Sequence, residues 1–221
     1  MQHVTVWMFF DHYNATSVKD GTRQHRAGGK YRPIRKVITD RNVPLPVQWN
    51  SFIILTENKA NLQEFLAEQL VCHTDHLPDG AELIIAGGLA HSEGVFSSTN
   101  RDVWHLQSTQ EEADSRIILH AAEAATAGYR HAIIASQDTD VLVMLIHFTQ
   151  ELPDQVWMHV GTSKKRNPVH EIRHTLSTEV KQSLPAFHAF TGCDTTSQFS
   201  GPFCGLDINS RHLYKQRSLM V

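Results

Sequence analysis

The chain has 221 residues and is 41% hydrophobic, which is enough apolar content for the core of one large domain and excludes wholesale disorder. No apolar run reaches the roughly 18 residues of a membrane helix, and the apolar residues 1–10 lack the basic region and cleavage site of a signal peptide. Three scattered cysteines favour a reducing, intracellular compartment over a disulfide framework or a thiolate zinc site.

The charge is unevenly distributed along the chain. Residues 19–41 contain eight basic and two acidic side chains, a net charge of +6, which leaves −9 on the remainder of a chain whose total is −3. A basic arm on an acidic body favours a polyanionic partner. A solvated loop would explain the same charges equally well.

The first half of the chain predicts two strands and one helix. Residues 4–10 indicate a buried strand that ends at Asp11. Residues 58–71 carry apolar side chains at helical spacing, and residues 81–88 indicate a strand that ends in two glycines. For residues 89–107 we expect a loop, with a short strand as the alternative.

The strongest helix signal lies in residues 108–129. Ser108 or Thr109 is the expected N-cap, acidic residues fill the first turn, and Gly128 is the expected stop. The spacing predicts a buried face made of Ile117, Ile118, Ala121, Ala122 and Ala125.

The second half continues the alternation of strands and helices. Residues 130–136 and 155–160 indicate strands, and residues 140–148 fit a short helix or a strand. A helix is expected before or around Pro185, followed by a turn at residues 191–197. The alternation predicts an α/β domain with a mostly parallel sheet.

Carboxylates recur where this fold class places its sites, at the carboxyl ends of strands and the starts of helices. Clustered carboxylates repel each other, and a hard divalent cation such as Mg²⁺ or Mn²⁺ removes that cost. The acidic residues at such places are Asp11, Glu112, Asp114, Asp138, Asp140 and Asp194, and the neighbouring pair Asp138 and Asp140 are the candidate metal ligands.

Each of these residues also has an ordinary structural explanation. The helix macrodipole favours acidic residues such as Glu112 in a first turn. The segment "SQDTD" could cap a helix, and Asp194 fits turn chemistry. Only the joint order of these features along the chain predicts a site.

That order resembles the nuclease core of the flap-endonuclease family. The matching segments are "FFD", "EEADSR", "SQDTDVLVM" and "TGCDTT", and the resemblance covers about residues 6–201. The family consists of structure-specific 5′ nucleases with a PIN-like fold. The sequences of these segments most resemble those of a divergent group of animal proteins in that superfamily.

The resemblance implies a three-layer α/β/α domain over residues 1–201, with a mostly parallel central sheet. It places a basic, arch-like insertion at about residues 14–50 and leaves residues 202–221 as a divergent tail. The family begins with another strand that bears an aspartate, so we expect this domain to lack the first strand.

The resemblance also implies a site and its partners. All six candidate carboxylates match metal-ligating positions for two Mg²⁺ or Mn²⁺ ions that support phosphodiester hydrolysis. The expected partner is nucleic acid, DNA or RNA, and the family suggests a nuclear location. The arch would contact phosphates through Lys19, Arg23, Arg26, Lys30, Arg32, Arg35 and Lys36.

Two other functions remain open from the sequence. The first is a catalytically inactive PIN-like module that binds nucleic acid or protein. The second is a haloacid-dehalogenase-like phosphatase with Asp138 as nucleophile and Asp140 as acid/base. The phosphatase would need a later Ser/Thr motif and a separate Lys, and no such set occurs in the right order. The nuclease differs from the inactive module in requiring the six carboxylates to converge within about 8 Å and to bind Mg²⁺ or Mn²⁺.

Overall fold

The structure is a computed structural model that describes residues 3–13, 32–91, 93–159 and 166–192. Over these ranges the chain is a mixed α/β structure with six strands and six α-helices. The predicted α/β class is therefore confirmed. Within the same ranges, no helix combines the length and the apolar character needed to cross a membrane.

The first sheet has the order β1 (Val4–Phe9), β2 (Ala81–Ala86) and β3 (Val95–Ser97). β1 and β2 are parallel and pair in register from the first residue of each strand to the last. β3 is antiparallel to β2 on its other side. Because β2 is central, its apolar run from Leu83 to Ala86 is buried.

The second sheet has the order β4 (His131–Ala135), β5 (Gln155–His159) and β6 (Arg166–Pro168). β4 and β5 are parallel, and β6 is antiparallel to β5. Each sheet thus joins one parallel pair to one short antiparallel strand. Both parallel pairs are formed by strands that the sequence predicts.

Six helices surround these sheets, and one of them contacts both. Helix α3 (Ala113–Thr126) packs against β1 of the first sheet and β4 of the second. The helices are α1 (Trp49–Ile53), α2 (Thr56–Cys72), α3 (Ala113–Thr126), α4 (Thr139–His147), α5 (Val169–Thr175) and α6 (Thr178–Thr191). The segment that was ambiguous between helix and strand is α4, and α6 runs through Pro185.

The main core lies between α3, α4, α5 and β5. Apolar side chains at helical spacing on α3 and α4 meet the buried side chains of β5 there, as an amphipathic pattern requires. Its buried members are Ile117, Ile118, Ala121, Val141, Leu145, Ile146, Leu152, Val156, Met158 and Val169. A smaller core joins α2 to β2 through Ala67, Leu83 and Ile85.

The predicted start of the third helix is wrong. α3 begins at Ala113, and its N-cap is Glu112 rather than Ser108 or Thr109. The backbone carbonyls of Ser108 and Gln110 accept hydrogen bonds from the guanidinium of Arg116, which holds them outside the helix. The predicted stop is confirmed, because Gly128 adopts a φ of 88° just after the last turn.

Candidate metal centre

Three aspartates from the starts of two helices form an acidic cluster. Asp114 lies in the first turn of α3, whereas Asp138 and Asp140 lie at the start of α4. One carboxylate oxygen from each residue lies within 4.8 Å of those of the other two. This acidic cluster could hold a metal ion, because oxygen ligands this close can share one cation.

Asp138 both caps a helix and belongs to the cluster. β4 ends at Ala135, and the Oδ1 atom of Asp138 accepts a hydrogen bond from the backbone N–H of Asp140 at 2.9 Å. The Oγ atom of Ser136 accepts one from the backbone N–H of Asp138 at 3.1 Å. The capping role expected for "SQDTD" is therefore real, and it fixes both aspartates at the end of β4.

Asp11 ties the end of β1 to the start of α3. Its Oδ1 atom accepts a hydrogen bond from the backbone N–H of Ala113 at 3.0 Å, and the Tyr13 hydroxyl donates to Oδ2 at 3.3 Å. The backbone N–H of His12 also donates to the carbonyl of Glu111 at 2.7 Å. These bonds hold the carboxylate of Asp11, two residues after the end of β1, at the N-terminus of α3.

The electrostatic environment of Asp114 disfavours the charged form of its carboxylate. Desolvation raises its pKa to about 6, with further contributions from the negative charges of four carboxylates: Asp138, Glu112, Asp11 and Asp140. No group among the described residues donates a hydrogen bond to its carboxylate or pairs with it. A bound cation would supply the missing positive charge.

Arg116 is a supporting residue that sequence reasoning missed. Its buried guanidinium donates to the carbonyl of Phe10 and to those of Ser108 and Gln110, each at 3.1 Å. A Cβ atom at Gly87 would overlap this guanidinium, so the glycine leaves the room that Arg116 occupies. Arg116 thereby links the chain just before Asp11 to the segment just before α3. The available signal was an arginine on the apolar face of a predicted helix.

His188 is a second residue that sequence reasoning missed. Its Nε2 atom lies 2.6 Å from the Oδ1 atom of Asp140. The histidine is on α6 and is 48 residues away from its partner. No local pattern in the sequence could have indicated this contact.

Some of the predicted site residues lie outside the described ranges. These are Asp194 and the arm residues Lys19, Arg23, Arg26 and Lys30. Their roles stay predictions. The other three arm residues, Arg32, Arg35 and Lys36, are described and lie in a non-helical segment before α1.

Two of the described arm residues make contacts within the protein. Arg35 Nη1 donates to the Oδ1 atom of Asn58 at 2.6 Å, and Lys36 Nζ donates to the carbonyl of Pro44. Arg32 is exposed. The contact with Asn58 anchors this end of the arm on α2, whereas phosphate binding by these residues stays a prediction.

Comparisons with known proteins identify no relative: no protein-family model, curated protein or solved structure matches this chain.

Proposed function

We propose that this chain is a PIN-like domain that binds Mg²⁺ or Mn²⁺ and hydrolyses phosphodiester bonds in DNA or RNA. The observation that carries the proposal is the convergence of Asp114, Asp138 and Asp140 within 4.8 Å. Three segments of the resemblance contribute to this region, since Asp11 and Glu112 also act electrostatically on Asp114. Five of the six predicted carboxylates thus belong to one neighbourhood.

The sheet edges support the finer PIN-like architecture. Among the described residues, β1 and β4 each pair on one side only, and α3 packs against both. Apolar side chains next to these edges are about half exposed: Val4 (54%), Val6 (48%) and Ile133 (53%). A further strand between β1 and β4 would join the two sheets into one central sheet with helices on both faces.

The donor set fits Mg²⁺ or Mn²⁺. All three members of the acidic cluster are carboxylates, and hard divalent cations prefer such oxygen ligands. Among the described residues, no histidine or cysteine belongs to the cluster. The environment of Asp114 fits as well, because it contains negative charge without a described counter-charge.

Different parts of the chain would hold the metal and the substrate. Bound divalent cations would supply water activation and neutralise charge on the phosphoryl oxygens. The acidic cluster alone would repel a phosphodiester, so binding of the reacting phosphate at this end of β4 must depend on divalent ions. The basic arm would hold flanking phosphates, through residues such as Arg32.

A Mn²⁺ titration followed by thermal unfolding tests the metal site. Wild-type protein should melt at a higher temperature as Mn²⁺ is added, by an amount equivalent to about 2.7 kcal/mol at a hundred times the Kd. The double variant Asp138→Asn/Asp140→Asn should show no such rise. Asparagine is as good an N-cap as aspartate, so α4 should remain capped.

A matched control separates the metal site from ordinary capping. Asp102 also accepts a hydrogen bond from the backbone N–H two residues later, that of Trp104, at 3.1 Å. Asp102 is not a member of the acidic cluster, so Asp102→Asn should keep the full response to Mn²⁺. A response that survives in the double variant would show that Asp138 and Asp140 are not ligands.

Assays on nucleic acid then separate the candidate activities. Cleavage of flap or single-stranded substrates that requires Mg²⁺ or Mn²⁺ would support the nuclease. Metal binding and nucleic-acid binding without cleavage would support the inactive module. Release of phosphate from a monoester, with nucleic acid left intact, would support the phosphatase.

A further inference from the structure

His188 reaches the acidic cluster from a third helix. Its Nε2 atom is 2.6 Å from Oδ1 of Asp140, and the two side chains are 22% and 29% exposed. A carboxylate can only accept, so the ring Nε2–H is the donor whether the imidazole is neutral or charged. The contact is a short hydrogen bond across the packed pair of α4 and α6.

This hydrogen bond opposes the repulsion within the cluster. Negative charges on Asp114 and Asp138 favour rotamers that turn Asp140 away from them. Among the described residues, only His188 donates to the side chain of Asp140, and no described donor engages its Oδ2 atom. One oxygen of Asp140 is therefore fixed while the other remains available to a cation.

His188 itself is not placed as a ligand. The group whose ligand atoms lie within 4.8 Å of one another consists of the three aspartates and does not include His188. The Nε2 atom of His188 is already engaged with Asp140. The ring thus acts on a cation through the carboxylate that it holds, an arrangement common behind metal ligands.

We propose that His188 is a positioning residue, which orients Asp140 for a divalent cation. The inference rests on the proposed function, because it requires the acidic cluster to bind metal. Outer hydrogen-bond partners of metal ligands typically contribute about 10-fold to 100-fold in metal affinity. His188→Ala should weaken Mn²⁺ binding by a factor in that range.

The test measures the Kd for Mn²⁺ by calorimetric titration and the melting temperature in EDTA. The variants are His188→Ala, His188→Gln, whose side-chain amide can also donate, and His147→Ala. His147 is the matched control because its Nδ1 atom lies 3.0 Å from the carbonyl of Lys181 and so also links α4 to α6.

We expect weaker Mn²⁺ binding in His188→Ala, substantial recovery in His188→Gln, and wild-type affinity in His147→Ala. A purely structural role would instead lower the melting temperature in EDTA and weaken binding equally in both alanine variants. That outcome, or an unchanged Kd in His188→Ala, would overturn the inference and leave the metal site intact. No Mn²⁺ binding by the wild-type protein would overturn the proposed function and this inference together.

Discussion

Two carboxylates of this chain, Glu82 and Asp114, have opposite environments. Glu82 lies on β2 and is 4% exposed. Its Oε1 atom accepts hydrogen bonds from Ser97 Oγ at 2.7 Å, Thr99 Oγ1 at 2.8 Å and Arg101 Nε at 3.3 Å. Its Oε2 atom accepts another from Thr5 Oγ1 at 3.3 Å. Every charge-stabilising group that this carboxylate needs is supplied by the protein.

The pKa values of Glu82 and Asp114 are shifted in opposite directions. For Glu82, desolvation favours a higher pKa, but the hydrogen bonds from Ser97 and Thr99 and the charge of Arg101 outweigh it, and the pKa is lowered. For Asp114, desolvation and four negative charges act in the same direction, and the pKa is raised to about 6. A carboxylate left in this state is a typical feature of functional sites. The protein itself therefore stabilises the charge of Glu82, whereas the charge of Asp114 is left without a stabilising partner among the described residues.

Removing the counter-charge of Glu82 should have the largest effect. Arg101→Met leaves the buried carboxylate without its cation and also breaks the ion pair between Arg101 and Glu123 at 3.1 Å. Because Arg101 is about one third exposed, with a side-chain exposure of 32%, we expect a loss of about 2 kcal/mol in the free energy of unfolding rather than the value for a fully buried pair.

The control for this prediction is Arg130→Met. Arg130 pairs with Asp154 at 2.9 Å, but the two side chains are 78% and 67% exposed. Such a pair contributes little, so urea unfolding in EDTA should show a loss below about 1 kcal/mol. Equal losses in the two variants would mean that Glu82 does not depend on Arg101.

A smaller effect is expected from the titration of Asp114 without metal. Its folded-state pKa of about 6 lies above the unfolded value of 3.8, so the folded state retains a proton that the unfolded state has lost. The contribution of this group to stability is therefore present below pH 3.8 and is lost as the pH rises through 6. Full conversion of the shift would give about 3 kcal/mol, which solvent screening reduces to the order of 1 kcal/mol.

The measurement is urea unfolding of wild type and Asp114→Asn in EDTA from pH 4 to pH 7. The variants should be about equally stable at pH 4, and Asp114→Asn should be more stable at pH 7. The two proteins must be compared at each pH, because His120 also titrates in this interval. Burial lowers the pKa of His120 to about 4, so its contribution makes the stability of both proteins rise with pH. An increase in the stability of wild type relative to Asp114→Asn as the pH rises would contradict this expectation.

The smallest effect on the free energy of unfolding should come from replacing His120, a buried side chain that is neutral at pH 7. This side chain is 1% exposed, and neither ring nitrogen has a hydrogen-bond partner among the described residues. His120→Leu removes two unsatisfied polar atoms from the core, and we expect a gain of about 0.5 kcal/mol at pH 7. Its edge-to-face contact with Phe9, at 5.0 Å between ring centroids, would be lost and limits that gain. Destabilisation by more than about 1 kcal/mol would show that the ring makes an essential contact.

Local rules predicted the parts of the site that depend on neighbours in sequence. Asp138 and Asp140 follow an apolar strand, and parallel strands carry sites at their carboxyl ends, so their place at the end of β4 could be predicted. The acidic first turn of α3 was also visible, because Asp114 precedes a clear amphipathic pattern. The two segments could be expected to meet, but the 4.8 Å spacing could not be derived from the sequence.

The parts that could not be predicted depend on distant residues. Ser108 resembles an N-cap, yet its carbonyl accepts a hydrogen bond from Arg116 and lies outside the helix. The start of α3 therefore depends on a guanidinium that also donates to the carbonyl of Phe10. His188 reaches Asp140 only because α4 and α6 pack together. The choice of strand partners is equally non-local, which explains why the short antiparallel strands β3 and β6 carried little sequence signal.

Calorimetric titration of Mn²⁺ into wild type and Asp114→Asn at pH 7 shows whether the acidic cluster is a divalent-metal site. The account predicts saturable binding to the wild type and at least about 10-fold weaker binding to Asp114→Asn, because a ligand and its charge are both lost. Equal affinities in the two proteins, or no binding to the wild type, would contradict the claim.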